Sequence, residues 1–221
     1  MKLFIDSADV KEVSEAIKFN INRVTTNPFF LVNLGTDHIS VAKELSNIPE
    51  VVEVHVQVPG SSASDFVREA GKLAAISSKI VAKIPASHEG LKAIAEIKKT
   101  GFIKTTATAV VTPLQAILAA QAGADYVAVL VGRAYKMGIK GIAVLKAVTK
   151  TLRKMGSETK VIAASLHSEE HVISSLAAGA DYATISYPLL NKVLSHKAIL
   201  KTLSEMDEAW RQQAAKAGVK A

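Results

Sequence analysis

Short β-branched or apolar runs alternate with helical stretches along the whole chain. The runs are Leu3–Asp6, Arg23–Thr26, Val52–Val58, Ile80–Ile84, Phe102–Thr108, Tyr126–Val131, Val161–Leu166 and Tyr182–Ser186. Between them apolar residues return at helical spacing, as in Phe66, Ala70, Leu73 and Ala74, or in Leu91, Ile94 and Ile97. Gly101, Gly123, Gly156 and Gly179 fall at helix exits, Ser7 and Ser168 where they can cap helix entries, and Pro113 at an early helical position. Eight such units in about 200 residues predict an α/β fold, a single-domain (β/α)8 TIM barrel spanning 1–221. A doubly wound sheet is the alternative, disfavoured by the regular count and by the lack of a Gly-rich phosphate fingerprint. An internal echo supports repeated βα units. Ala122-Gly123-Ala124-Asp125-Tyr126 recurs as Ala178-Gly179-Ala180-Asp181-Tyr182, each copy at a helix-to-strand junction. After the eighth run come Leu189–Leu194 and the long stretch Ala198–Ala217, which holds the single Trp, Trp210. Residues 198–221 read as an extra C-terminal helical extension that would pack across the barrel or onto a neighbouring subunit.

Composition narrows the class. The 221 residues are 49% hydrophobic and 21% charged, enough for one sizeable core and too apolar for global disorder. The absence of Cys excludes disulfides, thiolate metal sites and Cys nucleophiles. No apolar run reaches the roughly 18 residues of a membrane span. Met1 leads directly into Lys2–Asp6, so no signal peptide is expected and a soluble, cytoplasmic protein is. The net charge of +7 would suit nucleic acid or phosphorylated metabolites. Its lysines are scattered over helix faces and only 5% of residues are aromatic, which disfavours nucleic acid.

In a barrel, side chains at the C-terminal ends of strands converge on one mouth. Here those positions hold Asp6, Asn27, Gln57, Lys83, Thr106 with Thr108, Arg133, Ser165 and Ser186. Ser186 and Ser168 read most simply as caps of the following helices. Lys83 stands in Ile80-Val81-Ala82-Lys83-Ile84-Pro85, a strand with no other polar group. Such a lysine either snorkels to solvent or is held as a free amine by burial, and a free amine can attack a ketone to form a Schiff base. Lys79 and Lys104 lie nearer strand starts and read as structural. On the third strand Glu53, His55 and Gln57 share the inward face, with Gln57 nearest the mouth and His55 reading as a satisfied core residue. The six His residues show no metal-ligand spacing, so no metal is expected. Arg133 and Ser165 could bind a phosphate, or Arg133 could serve a surface ion pair.

The motifs Phe4-Ile5-Asp6, Val24-Thr25-Thr26-Asn27-Pro28, Val81-Ala82-Lys83-Ile84-Pro85, Gln115-Ala116-Ile117-Leu118-Ala119-Ala120 and Val131-Gly132-Arg133 resemble the transaldolase family. The small subfamily that includes fructose-6-phosphate aldolase fits best. Ala163-Ala164-Ser165 and Ala180-Asp181 extend the match to about residue 195. The resemblance implies a metal-free class I aldolase without a cofactor, in which Lys83 forms the Schiff base. Asp6 and Asn27 would hold hydroxyls and assist proton transfer, and Thr108 and Gln57 would position a water. Arg133 and Ser165 would hold the acceptor phosphate, with Thr25, Thr106, Leu130 and His167 also lining the substrate site. It further implies a homo-oligomer, pentamer or decamer, with C-terminal helices exchanged between neighbours.

Four positions depart from the family pattern. Gln57 stands where most transaldolases carry Glu, although the fructose-6-phosphate aldolase branch also has Gln. Leu130 replaces a Tyr or Phe, His167 replaces an Arg or Lys, and Thr106 replaces a frequent Asn. The resulting expectation is a Schiff-base aldolase that transfers a dihydroxyacetone unit from fructose 6-phosphate to an aldose-phosphate acceptor. A lyase releasing dihydroxyacetone and glyceraldehyde 3-phosphate is the alternative. A catalytically weakened sugar-phosphate-binding barrel is the alternative of another class, and neither a nucleic-acid nor a membrane partner is expected.

Overall fold

The computed structural model describes residues 2–217. It divides into two compact units, one ending at Tyr187 and one beginning at Pro188. In the first, eight strands pair in parallel in chain order and close on themselves. They are β1 (Lys2–Asp6), β2 (Arg23–Thr25), β3 (Glu53–Gln57), β4 (Ile80–Pro85), β5 (Lys104–Val110), β6 (Tyr126–Leu130), β7 (Lys160–Ala164) and β8 (Tyr182–Ser186). The connecting helices are α1 (Val10–Ile17), α2 (Pro28–Leu34), α3 (His38–Ser46), α4 (Ala63–Ala74), α5 (His88–Thr100), α6 (Pro113–Gln121), α7 (Val131–Lys136), α8 (Gly141–Lys154) and α9 (Glu169–Ala177). This is the (β/α)8 barrel that the alternation predicts. The second unit holds α11 (Lys197–Ala217) and all but the first residue of α10 (Tyr187–Leu194).

The alternation of strand faces explains the closure. Phe4, Val81, Tyr126, Ala128, Ile162 and Ala164 meet as one apolar cluster, with Leu130 and Tyr182 packed on it. The opposite faces carry Ile5, Val24, Val54, Val56, Ala82, Ile84, Val127 and Val129, all fully or nearly fully buried. Each large apolar side chain so buried contributes about 1.5–3 kcal/mol. The repeated pentapeptide has a structural purpose. Asp125 accepts the Thr105 N–H at 2.8 Å and returns its own N–H to the Thr105 carbonyl at 3.1 Å. Asp181 does the same to Val161, at 2.8 and 2.9 Å. Gly123 and Gly179 precede these clamps at φ 92° and 91°, a backbone region open to glycine.

Several local expectations shift. β5 starts at Lys104 rather than Phe102 and runs on to Val110, with a register irregularity between Ala107 and Val110 and Ala109 at φ 61°. β6 stops at Leu130 because Val131 already opens α7. Helix α1 is capped by Asp9, not by Ser7, because the Asp9 carboxylate reaches the Lys11 N–H at 2.7 Å. Ser7 instead accepts the Asp9 N–H and donates to Glu12. Ser168 caps α9 and Pro113 opens α6, as the sequence predicts. Residues 218–221 of the expected extension lie outside the described ones.

Candidate active site

Lys83 is 7% exposed. Its Nζ lies 3.1 Å from the Thr25 hydroxyl and 2.8 Å from the Thr26 carbonyl, on the strand end before α2. Parallel pairing sets Gln57 on one side of it and Thr106 on the other. Burial lowers the lysine pKa, while the Asp6 carboxylate opposes that shift. Burial raises the pKa of Asp6, opposed by Lys83 and by the Asn27 amide. Burial thus moves the two groups toward their neutral forms, a free amine and a protonated acid, while their mutual attraction opposes both shifts. A neutral amine has two N–H bonds, which Thr25 and Thr26 can accept, and its lone pair stays available for attack.

Asn27 reaches this group through its capping duty. Its Oδ1 accepts the Phe29 N–H at 3.0 Å as the N-cap of α2, and Pro28 follows at the first helical position. With the oxygen so committed, its NH2 is the end that bears on Asp6. Gln57 is half-buried, and among the described residues no protein group bonds its amide. Thr108 is buried, pairs with Pro85, and its carbonyl accepts the Ala86 N–H at 2.7 Å. The hydroxyl of Thr106 turns to His55, whose Nδ1 is 2.8 Å away, so its bond lies inside the barrel. Leu130 packs against the apolar barrel cluster.

The remaining predicted residues gather around α7. Gly132 stands so close to β7 that a Cβ there would fall 2.0 Å from the Ser165 carbonyl and 2.7 Å from the His167 ring. Ser165 adopts φ 61°, a strained backbone for a residue with a side chain. Its hydroxyl is 3.2 Å from His167 Nε2. Burial lowers the His167 pKa, with Lys136, His171 and Arg133 adding to the effect. The exposed Arg133 guanidinium lies over the Phe29 ring, 5.9 Å from its centre. Phe29, two residues beyond Asn27, thus joins the two groups.

Sequence reasoning did not single out the Thr26 carbonyl or Phe29. A carbonyl has no side-chain signature, although Thr26 lay inside the Thr-Thr-Asn-Pro motif. Phe29 carried one signal, an aromatic residue following the proline that opens α2. His55 is fully buried, as expected of a core residue, but only half satisfied: Nδ1 pairs with the Thr106 hydroxyl, while Nε2 has no hydrogen-bond partner among the described residues.

A fold with a buried, strand-end lysine beside a carboxylate defines a barrel suited to amine chemistry. The family model described as Transaldolase/Fructose-6-phosphate aldolase matches residues 3–221. A protein named "Probable transaldolase" from Thermoanaerobacter sp. is 36% identical over 221 residues, covering 100% of both chains. One of the same name from Geobacter sulfurreducens is 38% identical over 197 residues, 89% of this chain and 91% of the relative. Another, from Caldicellulosiruptor saccharolyticus, is 39% identical over 198 residues, 89% of this chain and 90% of the relative. The chain belongs to the transaldolase/fructose-6-phosphate aldolase family, and it is an enzyme of that class. No helix among the described residues is long and apolar enough to cross a membrane.

Proposed function

We propose that the protein is a Schiff-base aldolase that moves a dihydroxyacetone unit from fructose 6-phosphate to an aldose-phosphate acceptor. The observation that supports this most is the buried Lys83 amine held between Thr25 and Thr26. Its lone pair attacks the ketose C2 carbonyl, and loss of water leaves an iminium. The C3–C4 bond then breaks with its electrons drawn into the iminium, giving an enamine. Asp6 takes the proton of the C4 hydroxyl as glyceraldehyde 3-phosphate departs. Its raised pKa suits a group that must accept and return one proton. The enamine attacks the acceptor aldehyde, Asp6 returns its proton to the new hydroxyl, and water hydrolyses the iminium to free Lys83.

In this reading Asn27 holds substrate hydroxyls, and Gln57 and Thr108 position the water. Arg133, Ser165 and His167 meet the acceptor phosphate. The substrates are phosphorylated sugars, which cells retain in the cytoplasm. Helix α11 carries Ile199, Leu203, Met206 and Trp210 at intervals of four, three and four, each at least 46% exposed. That stripe supports a homo-oligomer, and the family resemblance implies a pentamer or decamer.

The lyase reading is favoured by Gln57, an amide that cannot take a proton from a water. In it the enamine is protonated at C3 and hydrolysed off as dihydroxyacetone. Turnover of fructose 6-phosphate with and without erythrose 4-phosphate tests the pair. Product formation that requires the acceptor supports transfer, and acceptor-independent release of dihydroxyacetone supports the lyase.

A further inference from the structure

The sequence leaves Arg133 between a phosphate contact and a surface ion pair. Among the described residues no carboxylate comes within ion-pairing distance of its guanidinium, and no protein group hydrogen-bonds it. The guanidinium instead lies over the Phe29 ring, 5.9 Å from its centre, which is within cation–π reach. Phe29 is 68% exposed, and α2 fully buries none of its side chains, so the ring is no part of the barrel core.

The topology makes this contact a span. β2 and β6 stand opposite one another in the closed barrel, and α2 and α7 follow them at the mouth. Lys83, on β4, lies midway between them around the barrel. A side chain from each side meets the other, which brings the Arg133 charge in from the rim. Both ends are fixed at the backbone. Phe29 donates its N–H to Asn27 Oδ1 at 3.0 Å, the bond that caps α2 and leaves the Asn27 NH2 to Asp6. Arg133 follows Gly132, whose close approach to the Ser165 carbonyl has no room for a Cβ. A ring contact draws on the delocalised charge and uses no acceptor, so the N–H donors of the guanidinium remain for an oxyanion. An arginine already ordered also loses less side-chain freedom when that oxyanion arrives.

We propose that Phe29 is a positioning residue for Arg133, whose ring holds the guanidinium over the mouth to receive a phosphomonoester and so favours phosphorylated over unphosphorylated acceptors. Phe29 acts through Arg133 and gives the phosphate no hydrogen bond of its own. Its backbone bond to Asn27 ties this arm to the group beside Asp6, so the phosphate end and the reacting end of the substrate share one reference point. The proposal rests on the reading that Arg133 meets the acceptor phosphate, and Arg133→Gln tests that premise by itself.

The test is a double-mutant cycle of Phe29→Leu and Arg133→Gln, with Phe29→Tyr as the variant that keeps the ring. The probe is glycerol 3-phosphate, which has a phosphomonoester but no carbonyl for Lys83, and its Kd is read by calorimetry. Variants are first checked for a cooperative melt. The expected result is that Arg133→Gln weakens binding, Phe29→Leu weakens it about two- to fivefold, and Phe29→Tyr matches wild type. The double variant should bind no more weakly than Arg133→Gln alone. In turnover, the preference for erythrose 4-phosphate over erythrose, as a ratio of kcat/KM, should fall in Phe29→Leu by the same factor. Wild-type affinity in Phe29→Leu, with binding weakened in Arg133→Gln, would overturn the proposal and leave the phosphate reading standing. An equal loss on Phe29→Leu with and without Arg133 would also overturn it, because the ring would then act independently. Wild-type affinity in Arg133→Gln would remove the phosphate reading and the proposal together.

Discussion

The Lys83 amine and the Thr25 hydroxyl, 58 positions apart in the chain, lie 3.1 Å from one another. The Thr26 carbonyl completes the seat at 2.8 Å. Two acceptors match the two N–H bonds of a free amine, whereas an ammonium brings a third that needs its own partner. Burial favours the neutral form of this lysine, against the pull of Asp6, which is costly in stability and useful in chemistry.

That cost has a definite pH dependence. The folded pKa of Lys83 is depressed. Wild type therefore has its full stability from this group above about pH 10.5, the unfolded value, and loses it as pH falls through the folded pKa. Lys83→Met removes the titration. Its midpoint of denaturation is expected to rise relative to wild type between pH 10.5 and neutrality, by about 1.4 kcal/mol per unit of depression. Chemical denaturation at pH 7 and pH 10.5 checks this, and an equal difference at both pH values would contradict it.

Asp6→Asn separates the two halves of the reaction. Schiff-base formation needs the Lys83 amine, while carbon–carbon cleavage needs a proton acceptor. Trapping on Lys83 should persist, and cleavage should fall by about 10²–10⁴-fold. Because the Asp6 charge opposes the lowering of the lysine pKa, its loss should also move the pH midpoint of trapping downward. A variant that cleaves normally would remove Asp6 from the proton route.

Ser165 combines strain with a proposed binding role. At φ 61° its side chain costs energy that glycine would not. Ser165→Gly is expected to raise stability by about 1 kcal/mol while weakening binding of the phosphorylated acceptor. Thermal melts and the acceptor KM read the two effects separately. A variant that is both less stable and normal in KM would contradict the account.

His167 should make anion binding pH-dependent. Its folded pKa is lowered, so it charges only as pH drops below about 6.5, the ordinary His value. Inorganic sulfate, whose charge is constant there, should inhibit more strongly as pH falls from 7 to 5. His167→Gln should flatten that dependence. An identical slope in the variant would exclude His167.

The barrel and the lysine were legible in the sequence for one reason, the sharp contrast between them. Eight apolar runs at regular spacing leave few alternative closures, and Lys83 is conspicuous in a strand with no other polar group. The Asp125 and Asp181 clamps were visible as a repeat, though their partners Thr105 and Val161 were not, because those are backbone groups. Asp9 rather than Ser7 caps α1, since both residue types cap well and only the local geometry chooses. The Thr106 hydroxyl could have faced the mouth or the interior, and His55 Nδ1 decides it.

The clamps carry their own prediction. Asp125→Ala leaves the buried Thr105 N–H without its acceptor and should cost about 1–3 kcal/mol. Asp181→Ala should cost a similar amount, as its contact to Val161 has the same 2.8 Å length. Urea denaturation measures both, and an unchanged midpoint in either would sink the clamp interpretation.

In the proposed reaction every covalent intermediate is held on Lys83. Incubation with fructose 6-phosphate, and separately with dihydroxyacetone, followed by borohydride reduction and mass spectrometric mapping, addresses it directly. The account predicts the same three-carbon adduct on Lys83 from both ketones, and none in Lys83→Met. A folded wild-type protein with no adduct on Lys83 would contradict it, and would move the barrel toward sugar-phosphate binding without aldol chemistry.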